Sequence, residues 1–241
     1  MNPILHLIWG PTSTGKTAAA VAAAERTGAP VISLDRVQCC AEIPTGSGRP
    51  TPAELRGTQR IYVCSRKLIN GVIPAHEAHK LLKLRVAECA LRHRLIILEG
   101  GSVSLLNTMI ADEYWDCFQW RSDRFELGDP TEFLSRARAR VREMFERRGG
   151  RASLLEELVE LWRDPRLHQA LADIDGYRVA IRFAAERALP VAGLLSLDAE
   201  TREELVEGIA QEYLDHARWQ TREFLELPLS WKVTGFGSRH K

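Results

Sequence analysis

Neither sign of charge dominates this chain of 241 residues. Lys and Arg number 33 and Asp and Glu 32, a formal net charge of +1. That balance does not point to a nucleic-acid coat protein or a polybasic membrane binder. Long apolar runs are also missing. The longest, Ala18 to Ala24, falls far short of the roughly 20 residues that cross a bilayer, so no membrane partner is expected. No basic segment precedes the apolar N-terminal residues, and no secretory signal is read there. The five cysteines (Cys39, Cys40, Cys64, Cys89, Cys117) are odd in number and form no CxxC pair. Structural disulfides and a zinc site are therefore disfavoured and a reducing cytoplasm is expected. Internal repeats and low-complexity linkers are absent as well. What is present, 45% hydrophobic and 27% charged residues, is the composition of a globular protein.

The pattern along the chain is α/β. Ile4 to Trp9, Pro30 to Leu34 and Leu95 to Leu98 are short apolar runs that read as buried strands. Phe118 to Leu127 is a candidate last strand. Lys16 to Thr27 is Ala-rich and stops at Gly28, as a helix does. Glu77 to Arg94 reads as a second helix whose leucines at 81, 82, 84 and 91, with Ala78 and Ala90, form a buried stripe. Beyond Gly128 helix signals dominate. Asp129-Pro130 supplies an N-cap and a first-turn proline, Ser153 to Glu156 is a capping box, Asp164-Pro165 starts a further helix, and Asp198 caps one running to about Leu225. The expected fold class is thus a P-loop-type parallel sheet flanked by helices (residues 1–128), followed by a smaller, mainly helical substrate-binding part (residues 129–241). Residues from Ser230 read as a loose tail. Charge alternates in blocks: Glu132 to Arg151 is strongly basic and Ala152 to Asp175 acidic. These are either complementary solvated faces or, in part, arginines facing a phosphate.

Gly10-Pro-Thr-Ser-Thr-Gly-Lys16-Thr17 fits GxxxxGK[ST] in full, between a predicted strand and a predicted helix. The expected diphosphate-binding residues are Gly10, Ser13, Thr14, Gly15, Lys16 and Thr17. The loop's N–H groups and the helix N-terminus cradle phosphate, Lys16 neutralises it, and the Thr17 hydroxyl is placed to hold Mg²⁺. The apolar strand that follows ends in Glu99-Gly-Gly, not in the Asp of ordinary nucleoside triphosphatases. Glu99 reads equally as a water-mediated Mg²⁺ partner and as a turn carboxylate. Asp35 ends the second strand, and in a parallel sheet that puts it on the same edge as the phosphate loop. It suits a metal ligand, a general base for attack on a phosphate-bearing group, or a turn cap.

Together GPTSTGKT, LDRVQCC, TGSGRP, ILEGGS and DIDGYR resemble the bacterial adenylate dimethylallyltransferases, isopentenyltransferases that make cytokinins, collinearly from about His6 to His216. The related tRNA dimethylallyltransferases usually read Asp-Ser-x-Gln-x-Tyr after the loop and are longer. Here Asp35-Arg36-Val37-Gln38-Cys39 and a short, nearly neutral chain argue for a free nucleotide. The resemblance implies transfer of a dimethylallyl group from dimethylallyl diphosphate to N6 of AMP with Mg²⁺ as cofactor. It implies no nucleic-acid partner and specifies no oligomeric state. Asp35 would be the base, with Thr12 and Lys16 as further catalytic residues. Arg140 would contact the donor diphosphate. Ser47, Arg148, Asp175, Tyr213 and His216 would contact the nucleotide, though Asp175 and His216 could instead line a donor pocket polar enough for a hydroxylated donor. A tRNA prenyltransferase, a small-molecule kinase and a catalytically silent nucleotide binder are the competing readings. His76-x-x-His79 is the one pair with ligand-like spacing, and it reads as incidental.

Overall fold

A computed structural model describes residues 2–232. Five parallel strands form one sheet in the order β3-β2-β4-β1-β5: β1 Ile4–Trp9, β2 Val31–Ser33, β3 Arg60–Tyr62, β4 Leu95–Gly100 and β5 Gln119–Arg124. The helices in chain order are α1 Lys16–Thr27, α2 Pro52–Leu55, α3 Ala75–Ala90, α4 Val103–Ile110, α5 Pro130–Met144, α6 Leu154–Trp162, α7 His168–Ala172, α8 Tyr177–Glu186 and α9 Ala199–Glu223.

Strand alternation divides the sheet's two faces. Leu5, Leu7, Trp9, Ile32, Leu34, Ile96 and Leu98 share one cluster with Leu82 and Val86 of α3 and Leu105 of α4. Ile8, Val31 and Ile97 face the other way, onto the alanines of α1. Those alanines, with no side chain beyond Cβ, let α1 lie close on the sheet. The larger apolar cluster joins α5 to α9 and takes in Cys40, Ile43 and Leu68 from earlier in the chain.

The helix starts follow their capping residues. Asp129 Oδ1 accepts from Thr131 N and Glu132 N at 2.9 and 3.0 Å, Ser153 and Glu156 form the reciprocal capping box, and Asp198 caps α9. Asp164 caps a single 3-10 turn that leads into α7.

Three expectations are corrected. The buried stripe of α3 is Ala78-Leu82-Val86-Cys89, at helical spacing, whereas Leu84 and Leu91 project to solvent. Two of the four arginines of α5 pair across to α9, Arg138 with Glu207 and Arg142 with Glu203, and among the described residues only Arg147–Glu156 joins the basic and acidic blocks. The chain from Ser230 is not all loose. Leu229–Trp231 forms a turn, and Trp231 is buried, stacked on Trp120 with ring centroids 4.0 Å apart. The remainder of that expected tail, 233–241 with His240, lies outside the described residues. Among the described residues no helix is long and apolar enough to cross a membrane, and all five cysteines are free.

Candidate active site

The strand ends of the sheet open on a cavity of about 1090 Å³. Its floor is the loop between β1 and α1. Gly10 sits at φ +138°, and a Cβ there would overlap the Phe125 carbonyl oxygen, so only glycine allows the loop to leave β1 at this angle. Gly10 itself does not line the cavity; its part is conformational. Gly15, at φ +93°, precedes α1, whose N-terminus has no side-chain cap. The free N–H groups of the first turn thus face the cavity, as an anion site requires. Thr14 Oγ1 donates to Pro11 O at 2.8 Å, and Lys16 Nζ donates to the same carbonyl. Burial lowers the Lys16 pKa although Glu99 and Asp35 both raise it.

From the far end of the chain, Gln220 closes the loop. Its Oε1 accepts from Thr12 N at 2.7 Å while its Nε2 donates to Gly101 O at 2.7 Å. A single buried amide therefore sets the distance between the phosphate loop and the end of β4.

Behind Thr17 lies an ion pair that the motifs did not reveal. The Thr17 hydroxyl donates to Glu99 Oε1 at 3.2 Å, and Arg60 Nη2 donates to Glu99 Oε2 at 2.6 Å. The Arg60 and Glu99 side chains are 2% and 5% exposed. Arg60 also reaches Ser33 Oγ at 3.1 Å and Gln38 Oε1 at 3.0 Å. Among the described residues no cluster of three His, Cys, Asp or Glu could hold a metal alone. The Thr17 hydroxyl and Glu99 are nonetheless hard oxygen donors beside an anion site. That suits Mg²⁺, which takes few protein oxygens and completes its shell with water and phosphate.

Asp35 stands next to this group. Its Oδ1 accepts from Val37 N at 2.9 Å and Gln38 N at 3.4 Å, while no hydrogen bond among the described residues engages Oδ2. Burial raises its pKa, the two backbone N–H groups lower it, nearby Glu99 raises it and Arg60 lowers it. The net shift is upward, toward a carboxylate able to take a proton. Arg36, which stands where the tRNA enzymes usually have serine, donates to Ser102 Oγ at 3.0 Å and Ile73 O at 2.7 Å. It thereby ties the end of β2 to the start of α4.

The remaining wall comes from the helical part. Asp175 Oδ2 and His216 Nδ1 are 2.9 Å apart, and Arg178 also pairs with Asp175. Burial raises the Asp175 pKa, but His216 and Arg178 outweigh it and hold the carboxyl below its ordinary value. Tyr213 lies deep, its hydroxyl 4.0 Å from Met144 Sδ, and burial pushes its pKa up. Arg140 pairs with Glu54 at 3.1 Å and Glu143 at 3.4 Å, and Arg148 with Glu143 at 2.7 Å. Ser47 is 8% exposed, and its Oγ is buried without a partner among the described residues.

Thr12, Ser13, Thr14, Gly15, Lys16, Thr17, Asp35, Ser47, Arg140, Arg148, Asp175, Tyr213 and His216 all line this one cavity. The sequence reading missed Arg60 and Gln220, which lack any motif around them and meet the site only through folding. His79, by contrast, is buried and accepts from Trp115 Nε1 at 2.8 Å, whereas His76 is exposed, so the two do not act as a pair.

The model of the isopentenyl transferase family matches residues 3–234. Proteins named adenylate dimethylallyltransferase are similar at high identity. That of Ralstonia solanacearum is 51% identical over 95% of this chain and 96% of its own length. That of Rhizobium rhizogenes is 53% identical over 93% of each. Among solved structures, a tRNA isopentenylpyrophosphate transferase from Bacillus halodurans superposes with a TM-score of 0.69 over 92% of this chain and 86% of that one. A eukaryotic dimethylallyltransferase acting on tRNA gives 0.62 over 91% and 69%. At 16% and 12% identity, these two speak for the fold alone. A phosphate loop facing a half-buried carboxylate, a matching family model over nearly the whole chain and relatives at half identity agree, and the chain belongs to the isopentenyl transferase family.

Proposed function

We propose that this chain is an adenylate dimethylallyltransferase, moving the dimethylallyl group from dimethylallyl diphosphate to N6 of AMP and releasing diphosphate. The product is an isopentenyladenine nucleotide of the cytokinin type. The observation that carries the reading is the Asp35 carboxylate, its Oδ2 uncommitted, beside the open N-terminus of α1 in one cavity. A leaving anion and a proton acceptor are what such a transfer needs.

The donor's diphosphate occupies the loop, held by the α1 N–H groups and Lys16, whose burial makes a bound anion its compensating partner. The adenine N6 amine attacks C1 of the donor, the C1–O bond to diphosphate breaks, and the electron pair leaves with the diphosphate. The N6 proton passes to Asp35 Oδ2, and the Oδ1 bonds to Val37 N and Gln38 N keep that carboxylate from turning away. Thr12, its N–H fixed by Gln220, orients the amine or a phosphate oxygen through its hydroxyl. The Thr17 hydroxyl, with Glu99 behind it, would hold Mg²⁺, which would supply charge neutralisation at the diphosphate. Arg140 completes the anion's surroundings, and Ser47, Arg148, Tyr213 and His216 the nucleotide's. The odd number of cysteines and their lack of a CxxC pair support a reducing cytoplasm as the setting.

A free nucleotide is favoured over tRNA because the relatives at half identity carry the adenylate name, whereas tRNA enzymes are similar only at 12–16% identity. One observation favours a second donor. The Asp175–His216 pair makes part of the cavity polar, as a hydroxymethylbutenyl diphosphate would require.

The test is mass spectrometry of the nucleotide after incubation with AMP, dimethylallyl diphosphate and Mg²⁺, with Asp35→Asn in parallel. A five-carbon gain on AMP that the variant loses is the expected result. A gain on tRNA alone, or a phosphorylated product from ATP, would replace this reading with one of its competitors. Running the hydroxylated donor at concentrations that saturate with dimethylallyl diphosphate decides the second reading by turnover or its absence.

A further inference from the structure

The DIDGYR segment contributes more than Asp175. Tyr177, fully buried, donates its hydroxyl to Glu157 of α6, and Glu157 is itself 6% exposed. Glu157 makes no ion pair among the described residues; its remaining partners are two successive backbone groups. Oε1 accepts from Gly46 N at 2.7 Å and Oε2 from Thr45 N at 3.1 Å. Burial raises the pKa of both Glu157 and Tyr177.

Packing alone does not account for this arrangement. A buried carboxylate with no direct ion pair, Arg151 acting on it only at longer range, is costly, and an apolar side chain of similar volume would join α6 to α8 more favourably. The carboxylate's donors instead come from the turn that precedes Ser47. The fit is tight: a Cβ on Gly46 would overlap the Tyr177 ring. Thr45 Oγ1 adds a bond to Ala152 O at 2.8 Å. The residue so presented, Ser47, has a buried hydroxyl with no partner among the described residues and lines the cavity. A buried polar group left open at the wall of a binding cavity is explained by a ligand that satisfies it.

The geometry points to Tyr177 and Glu157 as a positioning pair that holds the Thr45–Gly46 turn, and through it Ser47, against the acceptor nucleotide. The proposal rests on the transfer reaction above. Because Asp175 is two residues from Tyr177 and pairs with His216 on α9, one short segment sets two walls of the cavity. The acceptor's position is then registered to the helical core, while the donor's is registered to the sheet.

Initial rates should be measured for the wild type, Tyr177→Phe, Glu157→Gln, Ser47→Ala and the Tyr177→Phe/Ser47→Ala double variant, varying AMP and dimethylallyl diphosphate separately. Tyr177→Phe keeps the ring against Gly46 and removes only the hydroxyl. The expected outcome is a KM for AMP raised about tenfold, with the KM for the donor changed by less than about twofold. In the Ser47→Ala background the same substitution should add less than about twofold, because the pair acts through Ser47. A merely structural role would lower the melting temperature and the active fraction while leaving both KM values alone. That result overturns the proposal, as do KM values rising together or effects that add in the double variant. Should Tyr177→Phe fail to fold, Glu157→Gln is judged by the same criteria. If neither folds, the pair is a stability element and the proposal falls. A wild type that does not prenylate AMP would defeat the underlying reaction instead, so the two failures are distinguishable.

Discussion

Asp35 combines two properties that usually conflict. It is half-buried, and the lost solvation disfavours its charge, yet it is the candidate base, which needs that charge available. Its folded pKa lies above the unfolded value. The associated stability is therefore fully present below the ordinary carboxylate range and is lost as pH rises through the folded pKa. Asp35→Asn keeps an Oδ1 acceptor for Val37 N and Gln38 N but carries no charge. It should lose about 10²–10⁴-fold in turnover yet melt higher than the wild type near neutral pH, with no substrate or Mg²⁺ present. The two melting curves should converge in acid, and thermal scans across pH check this. Arg60 raises the opposite issue. Arg60→Met would leave Glu99 buried without its cation, and the expected loss in urea unfolding is roughly 3–5 kcal/mol. Asp35, Lys16 and Thr17 were legible beforehand because their meaning is local: a loop motif, and an acid at the end of an apolar run. Arg60 was not, because its strand has only three residues, too few for alternation to be read.

At the scale of elements, the phosphate loop is held from both sides. Gly10 is pressed against Phe125, just past the end of β5, and Gln220 reaches in from α9. Gly10→Ala should destabilise the protein by at least about 1–2 kcal/mol for the strained φ alone. The overlap with Phe125 also displaces the loop, so the KM for the diphosphate donor should rise together with the fall in stability. Calorimetry with kinetics on the same preparation measures both. Helix starts at Asp129, Ser153 and Asp198 could be read from the sequence because a cap is a contact between near neighbours. Which residues of α5 meet which of α9 could not. Arg138–Glu207 and Arg142–Glu203 join positions some 60 to 70 apart, and nothing in either segment names the other. Being half exposed, such pairs contribute little each, and they leave Arg136 and Arg140 as the arginines of α5 that line the cavity.

Over the whole molecule, the chain returns to its beginning. Trp9 meets Phe224 edge-on at 5.2 Å, and Trp231 stacks on Trp120 of β5. The sequence hid this, since no pattern around Ser230 names a stacking partner more than 100 residues earlier in the chain. Trp231→Ala should cost about 3–5 kcal/mol, seen as a melting temperature lower by roughly 2–4 °C per kcal/mol for a chain of this size. The closure also governs when the protein becomes competent. Thr12 emerges early from a ribosome, but the amide that fixes it belongs to Gln220. β1 likewise finds both its partners, β4 and β5, only after some 90 to 120 residues more. A growing chain therefore carries the complete phosphate-binding motif long before it can shape it. Catalysis waits on the last helix, so a truncated translation product would hold the signature and lack the enzyme.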